Sequence, residues 1–252
     1  MRSLSASDLL DIWERSTGAP PVEQALLILA AAFPEIPGDA LLRLDIAQRD
    51  TALFHLRERT FGPQLKGLAD CPACGERLEV AFSANDLRAA GILPAQADTL
   101  LHAQAPTTFT LNDYQIIFRL PNSADLLGIA ALTDSTQARQ QLLDACIVEI
   151  THQAQALALR ELPADVTQAI IEHIGQHESL ANLTIASTCP ACGHAWEIIF
   201  DIVSYFCSEI NAWAVRMMRE VHILASTYGW READILAMSA WRRQRYLELI
   251  GV

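Results

Sequence analysis

A single lysine, Lys66, occurs among 252 residues, and arginine carries nearly all of the positive charge. With 18 basic against 30 acidic side chains the net charge is −12. An acidic surface repels phosphate backbones, so general nucleic-acid binding is disfavoured. No apolar run reaches the roughly 20 residues that a helix needs to cross a bilayer. The longest, Val22 to Phe33, is interrupted by Glu23 and Gln24 and closed by Pro34, so it reads as a buried helix and no membrane insertion is expected. The opening Met1-Arg2-Ser3-Leu4-Ser5 lacks the apolar core of a secretory signal, and the expected compartment is cytoplasmic. There is no His-Glu-x-x-His, Gly-x-Ser-x-Gly or phosphate-loop pattern, and no glycine-rich nucleotide fingerprint. Acidic residues are scattered, as on any solvated surface. The sequence therefore predicts no enzyme and no small-molecule substrate.

What is present is an ordinary globular composition, with 51% hydrophobic and 19% charged residues. The predicted fold class is mainly α with a small β component. Ser5 or Ser7 can cap a first helix, and Pro20-Pro21 opens a second over 21–33 that is apolar on several faces. A helix from Asp45 to Phe61 is stopped by Gly62-Pro63. Leu78, Val80 and Phe82 alternate with polar or small residues, the pattern of a half-buried strand, and Asn85 or Asp86 can cap a short helix after it. Asn112-Asp113 marks a hairpin turn within 107–120. Helices are expected at 123–132, 135–150 and 164–177, and a long one at 204–227 ends at Gly229, with Ser239 capping the last.

Six cysteines are present, four of them in two copies of Cys-Pro-Ala-Cys-Gly, at Cys71–Gly75 and Cys189–Gly193. Offset by 118 residues, Cys71, Cys74, Gly75, Leu78, Glu79, Val80 and Phe82 align with Cys189, Cys192, Gly193, Trp196, Glu197, Ile198 and Phe200. This is a repeated knuckle-plus-strand unit. A tetrahedral zinc takes four ligands, at about 2.3 Å for sulfur. Two cysteines separated by two residues face one point across a tight turn. Glycine after the second cysteine permits positive φ, which turns backbone N–H groups toward the sulfurs. One knuckle supplies half a site. Cys71, Cys74, Cys189 and Cys192 are therefore the expected ligands of one structural Zn2+ per chain, with the strands after each knuckle paired or adjacent. A thioredoxin-type Cys-x-x-Cys opens a helix, whereas strands follow here, which weighs against redox chemistry. A knuckle pair persisting by packing without metal is the bland alternative. Four cysteines leave no open coordination position, which argues against zinc catalysis.

Such a zinc ties residues near 70 to residues near 190 across 114 intervening residues, too many for a loop. The expected organisation is an N-terminal helical region (1–66), a zinc-ribbon-like element (67–86 with 180–203), an inserted α+β subdomain (87–179) and a C-terminal helical region (204–252), the helical ends being joined by the two-knuckle element. Cys146 and Cys207 read as small buried hydrophobes. His194 reads as a surface residue, and His173 and His177, four apart on a helix, as a solvated polar face rather than a metal pair. In the C-terminal region Trp213, Met217, Val221, Leu224 and Tyr228 form a helical stripe, followed by Trp230, Trp241 and Tyr246 and a basic cluster of Arg242, Arg243 and Arg245. The bland reading is core plus a solvated face. The functional one is a partner-binding surface made by Trp213, Met217, Tyr228, Trp230, Trp241, Arg242, Arg243, Arg245 and Tyr246, since aromatics and arginine dominate interface hot spots.

Further landmarks carry a resemblance. Ile12-Trp13-Glu14-Arg15, Pro21-Val22-Glu23, Arg49-Asp50 and Phe61-Gly62-Pro63 precede the knuckles. Arg219 to Ala225, Tyr228-Gly229-Trp230, Glu232 to Leu236 and Arg242-Arg243-Gln244-Arg245-Tyr246-Leu247 follow them. In this order they resemble the baseplate-hub assembly chaperone family (T4-type baseplate protein) of contractile phage tails and contractile injection systems, most specifically over the last 65 residues. The resemblance implies a non-enzymatic assembly factor or minor baseplate component whose partners are baseplate, hub or spike proteins. The alternatives are a zinc-ribbon nucleic-acid-binding or regulatory protein, supported only by the arginine cluster, and a metal-dependent enzyme using His173 and His177.

Overall fold

A computed structural model of the chain describes residues 1–94, 105–153, 155–177, 180 and 183–251. Of the expected subdomain boundary at 179–180, residue 179 lies outside this set. The chain forms two compact units. One joins Met1–Pro34 to Ile202–Val252, and the other is Glu35–Asp201.

The first unit is helical. Helix α1 (Ala6–Ser16) begins at Ser5, whose hydroxyl accepts the Asp8 N–H while the Asp8 carboxylate accepts the Ser5 N–H. Arg2 grips the same carboxylate through two 2.7 Å hydrogen bonds. Helix α2 (Pro21–Ala32) carries proline in its first turn and buries Ala25, Ile28, Leu29 and Ala32. Two further helices of this unit, Glu232–Leu236 and Ala240–Leu249, follow a 27-residue helix, Ile202–Tyr228. That long helix buries Val203, Phe206, Ile210, Ala214, Met217, Val221 and Leu224, a three-four spacing that keeps one stripe facing the core. It ends because Gly229 adopts φ +67° and its N–H bonds back to the Ala225 carbonyl. Leu10, Met217, Leu224, Ile235 and Leu247 meet in one cluster, and the Trp13 indole N–H donates to Asn211 Oδ1 at 2.8 Å.

The second unit opens with α3 (Gly38–Leu42) and α4 (Ile46–Phe61), the latter capped by Asp45. Helix α4, expected with the N-terminal helices, belongs here. It buries Leu53, Phe54 and Leu56, but also Gln48, Arg49, Asp50 and Arg57. Such burial requires partners: Arg49 Nε donates to Asp50 at 2.7 Å, and Arg57 donates to the Gly62 carbonyl. Strands β1 (Gln64–Asp70) and β2 (Arg77–Ser83) make an antiparallel hairpin around the first knuckle, leading into α5 (Ala84–Ala89). The cap of α5 is Ser83, not Asn85 or Asp86; Asp86 instead closes the capping box from the first turn. Strands β3 (Thr107–Leu111) and β4 (Tyr114–Phe118) pair across Asn112 and Asp113, both at positive φ. Helices α6 (Ser123–Ile129) and α7 (Ser135–Cys146) follow.

The helix expected to run to residue 150 stops at Cys146, because Ile147, Val148, Ile150 and Thr151 are β-branched and form β5 (Ile147–His152) beside β4. After the two-residue β6 (Gln155–Ala156) and a 3-10 turn (Leu159–Glu161) comes α8 (Ala164–His177), as expected. Ile116, Leu143, Ile150, Leu159, Val166 and Ile170 form the core between this sheet and its helices. The second knuckle lies between β7 (Thr184–Thr188) and β8 (Ala195–Ile199). The long helix of the first unit is then α9, followed by α10 and α11. No helix among the described residues is long and apolar enough to cross a membrane.

Candidate metal centre

Each knuckle is built by its own hairpin. In the first, Gly75 at φ +75° donates its N–H to the Cys71 carbonyl at 2.8 Å, and the Cys71 N–H donates to the Glu76 carbonyl at 2.8 Å. In the second, Gly193 at φ +73° donates to the Cys189 carbonyl at 2.9 Å, and the Cys189 N–H donates to the His194 carbonyl at 2.9 Å. Any residue with a Cβ is strained at either glycine. The hairpins thus impose one local geometry twice.

The two knuckles face each other. Cys71 Sγ lies 3.8 Å from Cys192 Sγ, and Cys74 Sγ lies 3.7 Å from Cys189 Sγ. All four sulfurs fall within 4.8 Å of one another. A tetrahedron with ligands about 2.3 Å from its centre has edges of about 3.8 Å, so the spacing suits one metal ion with thiolate ligands. It is far too long for the roughly 2.05 Å of a disulfide. The pairing is crosswise: the leading cysteine of one knuckle meets the trailing cysteine of the other. Exchanging the repeats maps one contact onto the other, which is local two-fold pseudosymmetry. Phe82 and Phe200, equivalent under the same exchange, meet edge to face at 5.0 Å, and Phe54 of α4 lies 5.8 Å from Phe200. The strands after the knuckles are therefore adjacent through these rings but not paired; each pairs with the strand preceding its own knuckle.

The sulfurs have unequal surroundings. Cys71 and Cys189 are buried, whereas Cys74 and Cys192 are exposed. Desolvation pushes the Cys71 thiol up, but the Ala73 and Cys74 N–H groups and the Cys74 and Cys192 thiols outweigh it and hold it down at about 7. The Glu76 N–H favours the Cys74 thiolate, yet the crowding Cys192, Cys189 and Cys71 sulfurs, with desolvation, push Cys74 up to about 12. The Cys192 thiol is also raised: the His194 N–H and Cys74 pull it down, but desolvation, Cys189 and Cys71 prevail. Like charges this close oppose full deprotonation of the four sulfurs, and a cation between them would relieve that repulsion.

The His173 and His194 rings are engaged with aromatic side chains rather than grouped with the sulfurs. The His173 ring stacks on Phe109 at 4.3 Å and meets Phe118 edge-on, and His194 lies beside Trp196. Among the described residues, the four cysteines are the group whose ligand atoms converge. Cys146 is buried as expected, and Cys207 is half-buried.

The predicted partner residues divide. Met217 is 2% exposed and belongs to the core of the first unit, so it is not a surface contact. Arg243, at 5%, is likewise internal: its guanidinium donates to Glu220 at 3.0 Å and to the Met238 carbonyl at 2.6 Å. A helix only ten residues long with one face packed must bury something at that angle, and the arginine stem serves. Trp213 packs half-buried against the same core. Tyr228 and Trp230 stack at 4.4 Å, and Tyr246 meets them edge-on at 5.7 and 4.8 Å. Trp241 is 70% exposed, with Arg245 over its ring at 5.3 Å, and Arg242 lies over Tyr246 at 5.8 Å. The contact between Phe82 and Phe200 was missed from sequence, although the repeat alignment already pairs those two positions.

The family model of the T4 bacteriophage base plate protein matches residues 22–207, a span that contains both knuckles and all of the second unit. No curated protein and no solved structure matches the chain. Residues 208–252, where the motif resemblance is densest, lie beyond the matched span. With well over half its length matched, the chain belongs to the T4 bacteriophage base plate protein family.

Proposed function

We propose that the chain is a non-enzymatic assembly factor, or a minor component, of the baseplate or hub of a contractile tail, and that one structural Zn2+ holds its two knuckles in a zinc-ribbon-like element. The carrying observation is the four-sulfur cluster inside the family-matched span, with its 3.7 and 3.8 Å crosswise contacts. An all-thiolate set suits zinc and leaves no position for a substrate or a reactive water. Cys71, Cys74, Cys189 and Cys192 hold the ion, and the backbone N–H groups of the knuckles orient the sulfurs. The ion contributes folding free energy on the order of 10 kcal/mol to the unit that contains it.

Baseplate proteins are the natural partners of a family member, and a hub or spike protein is the partner assigned here. The exposed Trp241 with Arg242 and Arg245 supplies the anchor, standing on the ring cluster of Tyr228, Trp230 and Tyr246. Work of this kind is done in the bacterial cytoplasm where the tail is built.

Elemental analysis of purified protein is expected to give one zinc per chain, and none after Cys71→Ser with Cys189→Ser. Deleting the gene is expected to abolish contractile particles in electron micrographs, and Trp241→Ala with Arg245→Ala to reduce co-purification with a co-expressed hub protein. Normal particles without the gene would sink the assembly role.

A further inference from the structure

We propose that a groove between α7, the 3-10 turn and α8 docks a partner segment carrying acidic and large apolar side chains. The proposal rests on the baseplate reading only in supplying protein as the class of partner. The groove has a volume of about 430 Å³, enough for two or three side chains. Leu143, Leu159, Leu162 and Ile171 line it, and they belong to or pack against the core of the sheet. Arg139 and Arg160 also line it, and no carboxylate does.

That charge placement runs against its setting. Glu35–Asp201 holds 21 acidic against 10 basic side chains, and its other cations include Arg49, Arg77, Arg88 and Arg119, each paired with a carboxylate. Arg139 and Arg160 form no ion pair among the described residues; Arg139 donates to Gln168 Oε1 at 3.3 Å, and Gln168 in turn donates to Glu172 at 2.8 Å. Glu161, beside Arg160, is occupied by the Ala158 N–H. Two exposed guanidiniums over an apolar floor give the groove a lining whose charges are both positive, in a unit of net charge −11, and the complement of that lining is negative and greasy. Thr136, Gln140 and Thr167 on the walls can hydrogen-bond a peptide backbone. An isolated anion would leave the floor uncovered, and a basic segment would be repelled, so an amphipathic acidic stretch is the occupant that satisfies both features.

Two probes test this by fluorescence anisotropy. The first is a designed amphipathic helix with leucine at helical spacing and glutamate between, compared with its lysine counterpart. The second is a set of overlapping peptides from tail proteins encoded beside this chain. The acidic helix is expected to bind more tightly than the lysine helix, with affinity falling as salt rises. Arg139→Glu with Arg160→Glu is expected to weaken it by about tenfold or more, whereas the same reversal at Arg216 and Arg219, exposed on α9, leaves it unchanged. Both arginines are exposed, and circular dichroism checks that the double variant folds. Equal binding of the two designed helices, no binding of either, or binding indifferent to the arginine reversal overturns the groove. If the designed helix binds as expected but no tail peptide does, the groove stands and its occupant is not one of those tail proteins, while the assembly role is still decided by the gene deletion.

Discussion

The two units reach stability by different means. Met1–Pro34 with Ile202–Val252 has 8 basic and 9 acidic side chains and a continuous apolar stripe along a 27-residue helix. Glu35–Asp201 carries −11, divides its strands among three small sheets among the described residues, and buries charged side chains along α4. Two-stranded hairpins are marginal on their own. The β1–β2 and β7–β8 hairpins therefore gain from a cross-link, and the four sulfurs are where one can be placed. The helical unit has its cross-link distributed over Leu10, Met217, Leu224, Ile235 and Leu247.

This contrast can be broken or sharpened experimentally. The largest effect is expected from removing the proposed zinc. A strong zinc chelator, or Cys71→Ser with Cys189→Ser, should cost Glu35–Asp201 on the order of 10 kcal/mol and collapse its amide-exchange protection. Protection of α1, α2 and α9 is expected to persist; simultaneous loss in both units would erase the distinction. Next, Leu224→Ala in the core of the helical unit should cost about 2–5 kcal/mol by denaturant unfolding and leave the zinc content at one per chain. A smaller loss, about 1 kcal/mol, is expected from Ser83→Ala, which removes the cap of α5 just beyond the first knuckle strand. Matching unfolding midpoints for wild type and variant would discount that cap.

The smallest effect concerns pH. The Arg2 guanidinium, with the Ser5 hydroxyl and N–H, holds the Asp8 carboxyl well below the usual carboxylate range despite partial burial. A carboxyl depressed in the folded state contributes stability above its unfolded pKa and loses it as pH falls through the folded value. The contribution is thus complete near neutrality and fades in acid. Arg2→Ala should flatten the acid limb of the stability curve for the helical unit, and an unchanged limb would show that the pair adds nothing.

The sequence made some of this legible and hid the rest for identifiable reasons. The knuckles, the alternation after each, the turn at Asn112-Asp113 and the stop at Gly229 are local signals, and local geometry honours them. The four-sulfur convergence was readable because the motif occurs twice. Strand β1 was not: in Gln64–Asp70 only Leu65 is buried while Leu68 is 71% exposed, so no alternating pattern marks it. Strand β5 was absorbed into α7 because an apolar run can serve either structure until tertiary pairing decides. Arg243 was misplaced because an arginine stem can line a core while its head finds Glu220 and a carbonyl. The groove arginines left no trace, since Arg139 and Arg160 are brought together only by the fold.

One detail of the cluster bears on timing rather than strength. Each knuckle offers one shielded sulfur, Cys71 or Cys189, and one open to water, Cys74 or Cys192. Were a metal ion held there, a competing thiol could reach it from the open side and take its ligands one at a time. Tight holding and brisk exchange would then be compatible, with loading or stripping by stepwise ligand exchange rather than by unfolding.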